Sequence, residues 1–287
     1  MFLIYVFIFP TEKNETILDI LNIILITMEN KRILTWNINY CEVCEFEEDK
    51  KIDNHQLIAD EIMSHKADIL CLQEVPEPNE FLKLFKDSYV PVGTPSESHH
   101  GYSCILVSHR VYATSKKINE KVCSSAGIVI IDIDGVQYGS CHLPSGKNNT
   151  KRLNRLKKLD EVCRAPCFIS GDFNIRAKES IHSFIDTGSE FLGQMNPYPW
   201  NTFRNPFRKT TASSFKYRCR YDRILFKVPS ELNMLIESFG LMGDKKIKGK
   251  SFNYLSDHFG LISEFSFNNE PTERKEGDDG DDSYSDY

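Results

Sequence analysis

The sequence predicts an α/β sandwich with the loops that follow its strands gathered at one edge. Three observations carry that expectation. Apolar runs of strand length recur along the chain and alternate unevenly with segments whose apolar residues fall at helical spacing. Those runs end repeatedly in a polar residue. At 287 residues and 40% hydrophobic content the chain can bury a full core, and one large domain is a permissible size for it.

The elements follow in order. RILTWN (32–37) reads as a strand, and KIDNHQLIADEIMSHK (51–66) as a helix carrying Ile52, Leu57, Ile58 and Ile62. DILCLQE (68–74) is a second buried strand, a helix follows near 79–87, and strands follow near 102–108, 126–133 and 136–142. NTKRLNRLKKLDEVC (149–163) is expected to be a helix with Leu153, Leu156, Leu159 and Val162 inward, a basic outer face, and Asn149 or Thr150 as its cap. The stretch PCFISGDFNIRAKE (166–179) runs from a strand through Gly171, which allows a tight exit, toward a helix from about 177. If strand geometry persists there, Asp172 and Asn174 share one side and Phe173 turns into the core; the alternative is a turn with a helix cap. An aromatic-rich loop (196–215) and strands near 216–227, 233–239 and 259–266 complete the chain, without an internal repeat.

Residues 1–30 read as an N-terminal apolar extension, 31–267 as one folded domain, and 268–287 as a tail expected to be disordered because it is acidic and lacks aliphatic residues. Neither MFLIYVFIFP nor ILDILNIILI approaches the roughly 20 residues that span a bilayer, so no stable membrane association is expected. Met28 directly precedes the first confident strand, so residues 1–27 read equally as an extension the fold does not require. The nine cysteines are scattered and odd in number, which suits reduced thiols in the nucleus or cytoplasm. Cys41 and Cys44 stand as a lone pair, too few for a zinc site. Charge is uneven: residues 1–140 carry 12 bases and 21 acids, residues 141–258 carry 21 bases and 11 acids. A polyanionic partner suits the basic half, unless its charges merely solvate several faces.

The polar strand ends are Asn37, Glu74, His142, Asp172 with Asn174, Asp222, and Asp257 with His258. Singly, each has a structural explanation: a turn residue, a solvated strand end, a satisfied core histidine. As an ordered set their types fit metal-assisted phosphodiester hydrolysis. Glu74 could hold a hard divalent cation such as Mg2+, with Asp257 in support. Asp172 could orient and deprotonate the attacking water, Asn37, Asn174 and His258 could donate to the developing negative charge, and Asp222 could hold the other nitrogen of His258. The scheme uses no serine or cysteine nucleophile.

TWN (35–37), LQEV (72–75), GDFN (171–174), YDRI (221–224) and SDH (256–258) together resemble the motif series of the endonuclease/exonuclease/phosphatase superfamily, across about residues 31–266. That resemblance implies a four-layered α/β sandwich of two packed mixed β-sheets flanked by helices, and Mg2+ as cofactor, with Mn2+ as a substitute. Within the superfamily the series is most similar to the tyrosyl-DNA phosphodiesterase 2 family. CHLPSG (141–146), PWNTF (199–203) and FKYRCRYDRILF (215–226) resemble further segments of it. The family likeness implies Asn37, Glu74, Asp172, Asn174 and His258 as catalytic residues and Glu74 as the main metal ligand. His142 and Ser145 would contact phosphate, and Arg176 and Trp200 would line a groove for a DNA 5′ end. Phe203, Arg204, Arg208, Lys209, Arg218 and Arg220 are candidates to stack on bases or neutralise phosphates. The implied substrate is DNA with a 5′-phosphotyrosyl end, with a single-stranded overhang, joined to a topoisomerase II peptide; the protein would act as a monomer in DNA repair. Two departures stand out: LPSGKNN replaces a family segment bearing an arginine, leaving Lys147 as the nearest cation, and Ala177 follows GDFNIR where the family tends to carry an acid. Rival readings are another phosphoesterase of this fold (an apurinic endonuclease, or an RNA or lipid phosphodiesterase) and a catalytically silent nucleic-acid-binding module.

Overall fold

Two mixed β-sheets pack face to face in the computed structural model, which describes residues 30–41, 54–146, 149–176, 179, 183–195, 197–205, 216–229, 232–247 and 254–268. The N-terminal extension before residue 30, Cys44, Ile52, Lys147, the start of the helix expected from 177, Arg208, Lys209 and the tail beyond 268 lie outside these residues. So do the side chain of Asn149 and most of the aromatic-rich loop. The first sheet contains β1 (Lys31–Asn37), β2 (Ile69–Val75), β3 (Tyr89–Pro91), β4 (Ser96–Glu97), β5 (Tyr102–Ser108), β14 (Asn233–Met242) and β15 (Gly260–Asn268), ordered β14-β15-β1-β2-β5-β3 with β4 also against β5. The second contains β6 (Ile118–Ser125), β7 (Ile128–Ile133), β8 (Val136–His142), β9 (Cys167–Asp172), β10 (Ile185–Asp186) and β13 (Asp222–Lys227), ordered β10-β13-β9-β8-β7-β6. Each sheet has one parallel pair near its centre, β1 with β2 and β8 with β9. A separate ribbon pairs β11 (Trp200–Asn201) with β12 (Arg218–Cys219).

Helices cover the outer faces, which makes the four layers. Ile58, Ala59 and Ile62 of α1 (Asn54–Ser64), with Phe81 at the end of α2 (Pro78–Phe81), pack on Leu34, Trp36, Leu70 and Leu72 of the first sheet. A short α3 (His109–Thr114) follows β5, and α4 (Asn149–Val162) covers Ile128, Ile130 and Ile169 of the second sheet. A last helix, α5 (Thr187–Leu192), is capped by Asp186. The inward face of α4 differs from the expected one. Leu156 and Leu159 are buried as expected, but Leu153 is 44% exposed and Arg152 is wholly buried in its place. Hydrophobicity alone puts leucine inside; the reversal has a physical cause, a carboxylate and two carbonyls that satisfy the guanidinium. The long strands appear as expected, whereas β6 and the two- and three-residue strands were not anticipated, being polar or too short for a period to register.

The inter-sheet layer changes chemistry along its length. Every second residue of a strand faces the same way, so each central strand lays a ladder of side chains into that layer. At one end the rungs are apolar: Ile33, Ile69, Tyr138, Phe168, Phe226. Next come small or neutral polar groups, Thr35, Gln73, Ser140 and Ser170, all fully buried. Gln73 Nε2 donates to Ser140 Oγ at 3.0 Å and Ser140 Oγ to the Leu72 carbonyl at 3.0 Å, joining the two sheets. The last rungs are Asn37, His142, Asp172 and Asp222. The core thus opens into the candidate site without a break in strand geometry.

Gly171 shows how tightly β8 and β9 meet there. Its φ is +146°, and a Cβ would lie 2.0 Å from the Cys141 carbonyl oxygen. Steric overlap and an unfavourable φ act together, so Gly171→Ala is expected to cost about 3 kcal/mol or more and to lower Tm by roughly 10 °C. A melting curve within 2–3 °C of the parent would contradict this account of the glycine.

Candidate active site

Strand register brings the site residues to one edge. His142 pairs with Asp172 across β8 and β9, and Asp172 pairs with Asp222 across β9 and β13, so three chemistry-bearing side chains stand side by side. Asn37 ends β1 in the facing sheet. Glu74 needs a special device, because in regular alternation it would follow Leu70 and Leu72 outward. A register shift between Leu72 and Val75 and a φ of +53° at Glu74 turn it inward instead. Gly101 (φ +64°) packs beneath the bulge, where a Cβ would approach the Val75 carbonyl oxygen to 2.7 Å.

Asn37 is the hinge of the arrangement. Its Oδ1 accepts the Asn39 N–H at 2.9 Å, which fixes the amide orientation and aims Nδ2 at both carboxylates. Nδ2 donates to Glu74 Oε1 at 3.0 Å and to Asp172 Oδ2 at 3.2 Å. Asp172 also accepts the Asn174 N–H at 2.9 Å. Here the alternation expected through GDFN holds only in part. Phe173 is fully buried, but β9 ends at Asp172 and Asn174 is left-handed (φ +50°), so its side-chain amide turns to donate to the Leu143 carbonyl at 2.9 Å. The turn reading was the better one for Asn174.

His258 Nδ1 lies 2.7 Å from Asp222 Oδ2, and its Nε2 lies 3.8 Å from Asp172 Oδ2. Three contacts hold the segment: Trp36 Nε1 donates to the His258 carbonyl (3.0 Å), the His258 N–H to Ser256 Oγ (3.2 Å), and Ser256 Oγ to the Asn37 carbonyl (2.8 Å). The TWN and SDH segments are thus one structural unit. On the other side, His142 Nδ1 meets Ser98 Oγ at 2.9 Å, and its Nε2 stands 3.6 Å from Glu74 and 3.7 Å from Asp172.

Burial sets the charges. It pushes the Glu74 carboxyl above its usual range, opposed by His142 and the Asn37 hydrogen bond, and does the same to Asp172, opposed by His258. Asp222 is pushed up to about 6 by burial, against the attraction of His258. For His258 burial disfavours the charge, but Asp222, by charge and hydrogen bond, and then Asp172 and Asp257 override it and raise the imidazole to about 10. His142 goes the other way, to about 4, because burial outweighs Glu74. At neutral pH His258 is therefore an imidazolium paired with Asp222, and His142 is neutral.

Asp172, Asp222 and His258 bring ligand atoms within 4.8 Å of one another, a candidate acidic metal site. Glu74, Asp172, Asp222 and the buried Asp257 share one imidazolium, and Asp257 raises the pKa of the other three.

A cleft of about 550 Å3 opens beyond Asn174, lined by Arg176, Tyr198, Arg218, Arg220 and Tyr221. The Arg218 and Arg220 guanidinium carbons lie 4.4 and 4.9 Å from the Tyr198 ring. Trp200 stands edge-on to His258 with ring centroids 4.7 Å apart, and its buried Nε1 has no partner among the described residues. The Phe259 N–H bonds the Pro199 carbonyl, which sews this loop to the SDH segment. Phe203 is 62% exposed, and Arg204 is held by Asp244 at 2.6 Å, so its charge is already matched. Ser145 is exposed beside His142 in a second cleft.

Sequence reasoning missed Ser98, Gln73, Ser256 and the Arg152–Glu179 pair. Gln73 and Ser256 sit inside recognisable motifs, but nothing local marks Ser98 or Glu179, whose partners are 44 and 27 residues away.

The His258–Asp222 pair yields a pH prediction. Activity that needs the imidazolium should fall as pH rises through about 10. Asp222→Asn removes the main charge that raises the His258 pKa, so the descending limb of kcat/KM should move down by two pH units or more. An unmoved limb would mean that His258 does not set it.

A buried acid–amide–histidine cluster at the edge of two packed mixed sheets defines the class: a metal-dependent phosphoesterase. The chain belongs to the endonuclease/exonuclease/phosphatase family, whose model matches residues 34–258. Among curated proteins it is similar to Nocturnin of Rattus norvegicus, 24% identical with 84% of this chain and 67% of that one covered. Human Nocturnin is likewise 24% identical, covering 83% and 66%. The chain thus spans about two thirds of these relatives. Among solved structures, TDP2 of C. elegans superposes with a TM-score of 0.60 at 21% identity, covering 83% of this chain and 76% of that one. D. rerio TDP2 complexed with single strand DNA product gives 0.60 at 21%, covering 83% and 99%. The human Nocturnin catalytic domain with bound sulfate gives 0.53 at 20%, covering 84% and 94%. The two-sheet fold is common to all three.

Proposed function

We propose that the protein is a Mg2+-dependent phosphodiesterase that hydrolyses the bond between a tyrosine and a DNA 5′-phosphate, leaving a 5′-phosphate end. One observation carries the choice of leaving group. His258 is committed to Asp222 on the Asp172 side, and burial keeps His142 neutral beside Glu74, so among the described residues no dedicated acid stands ready to protonate a departing oxygen. A tyrosine phenolate, with an ordinary pKa of about 10, leaves without that help far more easily than a sugar alkoxide.

The steps follow from the side chains. Glu74, with Asp257 in support, would hold Mg2+, which would supply charge stabilisation at the phosphoryl and leaving oxygens. Asp172 orients a water and takes its proton as the oxygen bonds to phosphorus. Asn37 fixes both carboxylates and can turn its amide protons to the phosphoryl oxygens, while the His258 imidazolium stabilises the added negative charge. His142, held by Ser98, contacts a non-bridging oxygen. The phosphorus–phenolate bond breaks, and the phenolate takes its proton from solvent.

The cleft lined by Arg176, Tyr198, Arg218 and Arg220 suits a single-stranded DNA end, since it joins flat rings to cations. The D. rerio TDP2 complex with single strand DNA product supports this reading by analogy of fold. The reading carries with it a monomer acting on topoisomerase II adducts in DNA repair, in the nucleus or cytoplasm.

The test offers a 5′-phosphotyrosyl oligonucleotide and an abasic duplex side by side, with Mg2+ and with excess EDTA. Metal-dependent release of a 5′-phosphate end from the first alone is the expected result. Abasic cleavage, or cleavage of RNA instead, would move the function to another phosphoesterase chemistry on this fold. For Trp200→Ala, DNA binding should weaken about tenfold while hydrolysis of a small aryl phosphodiester changes less than about threefold. Equal losses on both would make Trp200 a support for His258 and no more.

A further inference from the structure

The second cleft, of about 520 Å3, opens at His142, whose Nε2 stands 3.6 Å from Glu74 and 3.7 Å from Asp172. His142 forms its inner wall, the His99–His100 turn one flank, and Lys151 and Arg155 of α4 the other. That turn rests on the metal-side carboxylate's own backbone: a Cβ on Gly101, the next residue, would meet the Glu74 carbonyl carbon at 2.8 Å. Lys151 and Arg155 are one helical turn apart and so point the same way. Three other basic residues on or against α4 have partners: Arg152 bonds Glu179, Lys158 bonds Ser125, and Lys227 bonds Asp160. Among the described residues no carboxylate pairs with Lys151 or Arg155, although Arg155 is buried enough to depress its pKa. A half-buried guanidinium without a counter-ion is costly, and a bound anion would relieve that cost. Glu97 is the one acid lining the cleft, and it is exposed.

We infer that this cleft receives the leaving-group flank of the substrate and selects a peptide with acidic side chains beside its DNA-linked tyrosine. The inference rests on the tyrosyl-DNA reading. It adds a partner for the face that reading leaves empty. A metal held by Glu74 would stabilise the leaving oxygen on that side, and the cleft reaches Glu74 through His142, whose Nε2 lies 3.6 Å from it. Among the described residues its lining has histidines but no tyrosine, tryptophan or phenylalanine to stack a base, whereas the opposite cleft has Tyr198, Tyr217 and Tyr221. A peptide without bases, carrying carboxylates for Lys151 and Arg155, fits the chemistry better than a second nucleic-acid strand does.

The test compares three 5′-phosphotyrosyl oligonucleotides whose tyrosine is flanked by aspartates, asparagines or lysines, cleaved by the full chain at low salt. The aspartate substrate should be preferred over the asparagine one by about tenfold in kcat/KM, and the preference should shrink at high salt. Arg155→Glu should invert the order, favouring the lysine substrate. A generic loss of fold lowers all three rates and cannot invert them. Equal rates for the three substrates, or an order unchanged in Arg155→Glu, would overturn the inference. If none of the three is cleaved, the tyrosyl-DNA reading fails. The cleft is then judged by competition: the same peptides, free of DNA, inhibit hydrolysis of bis(p-nitrophenyl) phosphate. Stronger inhibition by the aspartate peptide, reversed in Arg155→Glu, would uphold an acidic-peptide site; none, or stronger inhibition by an oligonucleotide than by any peptide, would reject it.

Discussion

Asp172→Asn is expected to lower kcat by about a thousandfold while Kd for a single-stranded 5′-phosphate oligonucleotide moves less than about threefold. The substitution keeps shape and most contacts. The one amide oxygen can still accept either the Asn37 Nδ2 bond that Oδ2 takes at 3.2 Å or the Asn174 N–H bond that Oδ1 takes at 2.9 Å, and the other donor then faces the new NH2 group. What is lost is the basic oxygen and one negative charge. Losing the charge should even ease anion binding, because Asp172 sits among Glu74, Asp222 and Asp257. Single-turnover hydrolysis with saturating Mg2+ separates the chemical step from product release. Retention of the rate within tenfold would move the general base elsewhere. His258→Ala should produce a comparable loss of rate and leave the Asp222 carboxyl buried without its cation, so it should cost more stability than Asp172→Asn, which loses one of the two hydrogen bonds Asp172 accepts.

Most of this site could be read from the sequence because it lies on strand ends. Asn37, His142 and Asp172 end strands whose earlier rungs are ordinary β-core residues, so an apolar run stopping at a polar residue marked their place, whereas Asp222 opens its strand. Glu74 was found by its motif, but its inward direction depends on a bulge and a positive φ that alternation does not predict. Asn174 illustrates the opposite failure: extending the alternation past Asp172 gave the wrong orientation, because the chain had already turned. Leu153 and Arg152 exchanged places for a non-local reason. A buried arginine becomes tolerable only when its acid, Glu179, arrives from another loop, and single-sequence hydrophobicity has no access to that pairing. Arg204, read as a phosphate contact by its place in a basic stretch, is paired with Asp244 instead.

Arg152→Met should be the most destabilising substitution outside the catalytic cluster, by about 3–5 kcal/mol. The Arg152 side chain is 1% exposed, bonds Glu179 through two nitrogens at 2.6 and 2.8 Å, and donates to the Pro144 carbonyl at 2.7 Å. It therefore ties α4 to both loops that flank the site, the one after His142 and the one after Asn174. Methionine fills much of the volume but leaves a poorly hydrated carboxylate and a carbonyl unpaired. Because Arg152 holds the Glu179 carboxyl below its ordinary 4.5, the pair's contribution is complete above that pH and is lost as pH falls through the depressed value. Urea unfolding at pH 7 should thus show the full deficit, which should narrow in acid. Arg152→Met combined with Glu179→Met removes the stranded charge and should recover half or more of the stability. Activity should not recover with it, since the Pro144 carbonyl still lacks its donor and the loop beside His142 stays loose. Stability and rate returning together in the double variant would show that Arg152 only holds the fold; stability returning alone would make it a positioning residue for His142.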